Sequence, residues 1–140
     1  RYKMEITIGI KDKKDEIYDI VDNIIAVKKE NGNFEIMKIF IDDENMYRVY
    51  QSSIKIIFGK KKLNSKEKEE EYLFLNKSDK VFRILYSNIY IKKKNGDFEV
   101  FKIEEKTNGI CIGKDILKIT NGKKTVSILD KNSDIEIRSF

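Results

Sequence analysis

Asn31-Gly32 and Asn95-Gly96 each break a run of alternating apolar residues, and the two flanking stretches read almost alike: IIAVKKENGNFEIMKI over 24–39 and NIYIKKKNGDFEVFKI over 88–103. Asn-Gly between alternating runs is the strongest short-range hairpin signal, because a type I′ turn needs positive φ at both central residues. A two-residue loop at Asn31-Gly32 predicts Lys28 opposite Glu35 and Val27 opposite Ile36. At Asn95-Gly96 it predicts Lys92 opposite Glu99 and Ile91 opposite Val100. Each such cross-strand pair contributes roughly 0.2–1 kcal/mol. Ile25, Val27 and Ile36 fall on one face of the first hairpin, and Ala26, Met37 and Ile39 on the other. The root should therefore be covered on both sides, beneath a charged, wet tip.

The likeness spreads outward at a nearly fixed offset. Glu16–Val21 resembles Lys80–Leu85, and Ile54-Lys55-Ile56 with Gly59-Lys60 resembles Leu117-Lys118-Ile119 with Gly122-Lys123 after a one-residue slip. A fixed period of this kind reads as internal duplication rather than as two hairpins converging under compositional bias. Residues 1–63 form the first repeat, 64–71 a charged junction, and 72–140 the second repeat. A unit this short buries too little surface to stand alone, so the two are expected to share a core.

Ile, Val, Tyr and Phe dominate the apolar set, which favours strands. Strand patterns are read at 4–10, 34–41, 46–50, 53–58, 72–75, 81–94, 98–104, 110–112, 115–119, 125–129 and 134–138. Residues 16–29 carry a helical stripe (Ile17, Ile20, Val21, Ile24) behind Asp15 as a cap, but the β-branched and aromatic density of 81–91 argues for strands in both copies, bent near Asp22-Asn23 and Ser87-Asn88. The expected fold is all-β: two tandem related units, mostly antiparallel, as a barrel, roll or sandwich with room for one short helix.

Catalytic chemistry finds little support. The chain has no His and a single Cys, which removes imidazole bases, Ser-His and Cys-His pairs and thiolate metal clusters. No Gly-rich nucleotide loop occurs. Lysine or carboxylate chemistry stays open as a third reading, with no catalytic residue, cofactor or metal to name. The acidic turn Asp42-Asp43-Glu44 lacks EF-hand spacing and reads as solvated charge. Cys111 reads as a small core residue in a reducing, cytoplasmic setting. Neither a signal peptide nor a membrane-spanning apolar run is read.

The formal charge is +5, carried mostly by Lys rather than by the planar guanidinium that reads phosphates and bases bidentately. Two basic clusters stand out: Lys60, Lys61 and Lys62 after a strand, and Lys92, Lys93 and Lys94 on the second hairpin near Tyr90. Lysines beside aromatics can hold a nucleic-acid strand, though lysines at strand ends also block edge-to-edge pairing. The leading expectation is a non-enzymatic module that binds another protein through hairpin tips and strand edges; a nucleic-acid-binding β-barrel is the alternative.

Overall fold

The computed structural model describes residues 12–21, 23–41, 47–49, 52–107, 109–120 and 125–127. The strands expected at 4–10 and 134–138 and the turn at 42–45 lie outside these residues. Among the described residues the chain is nearly all strand: β1 (Glu16–Val21), β2 (Ile24–Lys28), β3 (Phe34–Ile41), β4 (Tyr47–Val49), β5 (Ile54–Phe58), β6 (Tyr72–Leu75), β7 (Lys80–Leu85), β8 (Asn88–Lys92), β9 (Phe98–Lys106), β10 (Gly109–Thr120) and β11 (Thr125–Ser127). A single 3₁₀ turn, Glu69–Glu71, is the helical element among them. One sheet runs β1-β2-β3-β5-β6 with β4 also on β3; the other runs β11-β10-β9-β8-β7. Among the described residues all pairings are antiparallel except β5 with β6. The expectation of an all-β, mostly antiparallel fold therefore holds.

The two hairpin units, one in each sheet, repeat the same ladder pattern. Ile17 pairs with Val27 and Asp19 with Ala26, which leaves Tyr18 as a bulge. Val81 pairs with Ile91 and Arg83 with Tyr90, which leaves Phe82 as the same bulge, 64 residues on. The bulged rings make the same edge-on contact: Tyr18 with Phe34 at 5.0 Å, and Phe82 with Phe98 at 5.2 Å between centroids. Glu35 then pairs with Lys55, and Glu99 with Lys118. That is the slipped alignment read from the sequence, and the slip falls between Ile41 and Tyr47. In the second unit a single strand, β10, does with one bulge what β4 and β5 do separately.

The turn chemistry corrects the expected register. Lys28 pairs with Phe34 and Val27 with Glu35; Lys92 pairs with Phe98 and Ile91 with Glu99. The loop is a β-turn, with Gly32 N–H donating to Lys29 O at 2.9 Å and Gly96 N–H to Lys93 O at 3.0 Å. Only the glycines adopt positive φ there, +90° at both Gly32 and Gly96. This is the three-residue loop with a glycine bulge. Asn31 and Asn95 serve it through their side chains, each accepting the amide of the second residue onward at 3.0 Å. The type I′ conformation occurs instead at Tyr86-Ser87, with φ of 50° and 62°. The expected bend near Ser87 is thus a full reversal between β7 and β8, and β1 and β2 are likewise separate strands rather than a helix.

Gly96→Val is expected to cost roughly 2 kcal/mol, because a β-branched residue resists positive φ. A chemical-denaturation midpoint equal to the parent's would reject this turn assignment.

The core lies between the sheets, and the units meet through opposite faces. Ile24, Ala26, Phe34 and Ile36 point inward from the first sheet; Ile89, Ile91, Phe101 and Ile103 do so from the second. By ladder position those last four correspond to Ile25, Val27, Met37 and Ile39, which form a separate small cluster on the first sheet's other side. Polar clips close the seam. Ser52 Oγ accepts the Ile110 amide at 3.1 Å, and a Cβ on Gly109 would sit 1.7 Å from that Oγ. Lys38 pairs with Glu105, and buried Glu71 pairs with both Lys106 and Lys55. Burial alone would push the Glu71 carboxyl up, but the two ammonium groups outweigh it and hold it below the usual range.

Candidate functional site

The two lysine clusters follow different strands, Lys60–Lys62 after β5 and Lys92–Lys94 from the last residue of β8. Gly59 N–H donates to Leu75 O at 2.8 Å, one residue before the Asn76–Asp79 turn. The same turn supplies Asp79 to Lys93, 2.7 Å away. Around it lies an open depression of about 690 Å³, whose lining includes Lys93, Lys94 and Lys118 together with Asp79, Asp97 and Glu99. Charge of both signs is interleaved there.

The clusters differ internally. Lys60, Lys62, Lys92 and Lys94 are exposed. Lys93 is half-buried between Asp79 and Glu99. Burial lowers its ammonium's proton affinity, yet these carboxylates raise it above the ordinary value. Lys61 pairs with Glu67 and lies 5.1 Å over the Tyr72 ring. Tyr90 is half-buried on β8 opposite Val100, and burial raises its phenol. Asn31, Gly32, Asn95 and Gly96 stand at the two hairpin tips.

Glu67 accepts from Lys61, from the Tyr72 hydroxyl and from the Asn64 amide, which together hold its carboxyl at about 2, down from 4.5. A depressed folded-state value stabilises the fold above pH ~4.5 and loses that contribution as pH falls towards ~2. A carbon-detected NMR titration should place the Glu67 midpoint near 2. Tyr72→Phe should move it upward; a midpoint near 4.5 in the parent would rule out this constellation.

Cys111 is half-buried rather than part of the core. It lies among Glu70, Glu104 and Lys106 on strand β10, beside a shallow hollow of about 1000 Å³ that also includes Glu69 and Asp115. Burial first, then the neighbouring carboxylates, raises its thiol, so it stays protonated and a poor nucleophile. No cluster of three metal-ligating side chains occurs among the described residues. Among those residues, too, no helix is long and apolar enough to cross a membrane.

The sequence reading missed the apolar rim. Among the described residues β1 and β7 end their sheets; β1 exposes Ile17, Tyr18 and Ile20, at 41 %, 40 % and 49 %, and Phe82 on β7 is 37 % exposed. Ile84, which holds the ladder position of Ile20 in the other sheet, is 2 % exposed. The signal was present in the alignment of Glu16–Val21 with Lys80–Leu85, but periodicity does not say which face of a two-sided strand finds a cover. No protein-family model, curated protein or solved structure matches the chain.

Proposed function

We propose that this chain is a non-catalytic protein-interaction module, built by internal duplication of one hairpin unit. The observation that carries the reading is β1, the outermost strand of the first sheet among the described residues, whose Ile17, Tyr18 and Ile20 are partly exposed where the matching Ile84 is buried. Exposed apolar residues along an edge strand suit addition of a partner's strand, with main-chain hydrogen bonds giving affinity and alternate side chains giving specificity. Matching bulges, ring contacts and glycine turns at the same ladder positions support duplication. A cytoplasmic setting belongs to the same proposal and fits the single free thiol.

Nucleic-acid binding through Lys60–Lys62 and Lys92–Lys94 is the alternative. The carboxylates on Lys61 and Lys93 weigh against it, because a neutralised ammonium releases few counterions on meeting phosphate. A photo-crosslinking residue at Tyr18, in the full chain expressed in its source cell, should capture a protein, and Ile20→Lys should abolish the adduct. Absence of any adduct, combined with salt-dependent binding of single-stranded oligonucleotides, would reverse the order of the two readings.

A further inference from the structure

The two hairpin tips carry the same reactive dipeptide on the same loop. In Asn-Gly the glycine nitrogen can attack the asparagine side-chain carbonyl, since no Cβ on glycine shields it. That nitrogen is occupied in both tips: Gly32 N–H donates to Lys29 O at 2.9 Å, and Gly96 N–H to Lys93 O at 3.0 Å. Both glycines stand at φ +90°, and Asn31 and Asn95 are both exposed. Attack therefore waits on a transient opening of the loop, which a solvent-exposed tip undergoes at low cost.

The tips differ two residues further on. At Asn95 one residue holds both ends of the carboxamide: Oδ1 accepts the Asp97 amide and Nδ2 donates to the Asp97 carboxylate, each at 3.0 Å. A hydrogen bond to an ionised acceptor is stronger than a neutral one. The first unit has Asn33 at that position, and its carboxamide reaches β5 instead, accepting the Phe58 amide at 3.1 Å. Asn31 Oδ1 accepts the Asn33 amide at 3.0 Å, while its Nδ2 has no partner among the described residues. Charge adds to the difference. The Asp97 carboxylate disfavours loss of the Gly96 amide proton, and it disfavours a second carboxylate at position 95. The preceding residues would order the tips the other way, with Lys94 easing that proton's loss and Glu30 hindering it, but Glu30 is drawn aside to Lys14 at 3.7 Å.

We propose that Asn31 is a site of spontaneous deamidation in the folded chain, and that Asp97 protects Asn95 in the matching tip. The Gly32 nitrogen bonds to Asn31 Cγ and closes a succinimide. The Cγ–Nδ2 bond breaks, and the side-chain nitrogen leaves as ammonia with the proton that Gly32 gives up. Water then opens one of the two imide carbonyls to give aspartate or isoaspartate, with no oxidation or reduction. Aspartate at this position still accepts the Asn33 amide, so that product keeps the loop. Isoaspartate puts an extra methylene into the main chain and displaces Gly32 from its bulge. The site stands independently of the protein-interaction reading.

Prolonged incubation of the full chain in mildly alkaline buffer, followed by peptide-mapping mass spectrometry, is the test. Mapping reads conversion at Asn31 and Asn95 separately, and apart from Asn108 and Asn121, which also precede glycines but lie outside the described residues. The native protein should convert Asn31 several-fold faster than Asn95. In guanidinium chloride that ordering should vanish or reverse, because the clamp on Asn95 is lost. Asp97→Asn, which keeps the side chain's size, should raise the native rate at Asn95 several-fold and leave the rate at Asn31 unchanged. Equal native rates, or a faster one at Asn95, overturn the proposal. So does an Asn31 that stays intact while the unfolded chain converts, and so does an ordering that persists unchanged in the denaturant. The comparison of native with unfolded parent needs no variant, so it decides the matter even if Asp97→Asn fails to fold.

Discussion

Ile89→Ala is expected to destabilise the protein by roughly 2–5 kcal/mol, and by more than Ile25→Ala at the matching ladder position. Ile89 has no exposed surface; it pairs across to Ile84 and Phe101 and faces the first sheet. Removing its branch opens a hole between two layers that are both fixed by their own ladders, so little collapse can relieve it. Ile25 is almost as buried, but it packs in a small cluster with Val27, Ile39 and Met37. Urea-unfolding midpoints of the two variants decide the matter. Equal losses would mean that the units do not meet through opposite faces.

Asp79→Ala should cost about 2–3 kcal/mol, at the low end for a broken buried pair because Lys93 keeps some solvent contact. The Asp79 side chain is 2 % exposed against 24 % for Lys93, and its carboxylate also accepts the Asn76 amide at 3.0 Å. Truncation leaves Lys93 with its longer pairing to Glu99, at 3.6 Å, and unties the turn into β7. The first unit holds the equivalent pair, Asp15 with Lys29 at 2.6 Å, but there the side chains are 7 % and 40 % exposed. Asp15→Ala should therefore cost less, since an exposed lysine rehydrates when its partner is removed. Thermal melts of both variants beside Asp79→Asn, which keeps an acceptor for the amide, separate the charge from the turn. A larger loss from Asp15→Ala would contradict this ordering.

Much of this architecture is legible in the chain. The paired hairpins, the slipped second half of each unit and the strand-rich class follow from Asn-Gly punctuation and from Ile, Val, Tyr and Phe at alternating positions. Asn-Gly serves two loops, however: a two-residue turn with both residues at positive φ, or a three-residue turn with glycine alone in that region. The choice moves every facing residue by one, and it rests on the Asn31 and Asn95 carboxamides, which bind locally. Tyr86-Ser87 turns with no glycine at all. Its conformation is imposed by the ladder closing on either side, at Leu85 with Asn88. Neither could periodicity choose a face: Ile24 and Ile25 are both apolar, and only docking of the second sheet puts one in the main core and the other outside it. The lysine clusters were found, but the pairing of Lys61 with Glu67 and of Lys93 with Asp79 depends on chain reversals that sequence distance hides.

Strand β6 leads directly into the second unit yet hydrogen-bonds, parallel, to β5 of the first, Lys55 facing Tyr72 and Phe58 facing Leu75. The halves are consequently interlocked rather than strung like beads. A protease nick within 60–68 would cut the covalent link and leave both fragments travelling together through a sizing column, because the severed piece still supplies its former neighbour's outermost rung. Evolution can lengthen that linker so long as Lys61, Asn64 and Glu67 keep their contacts, whereas losing the four residues of β6 would strip one half of its border and the other of its anchor.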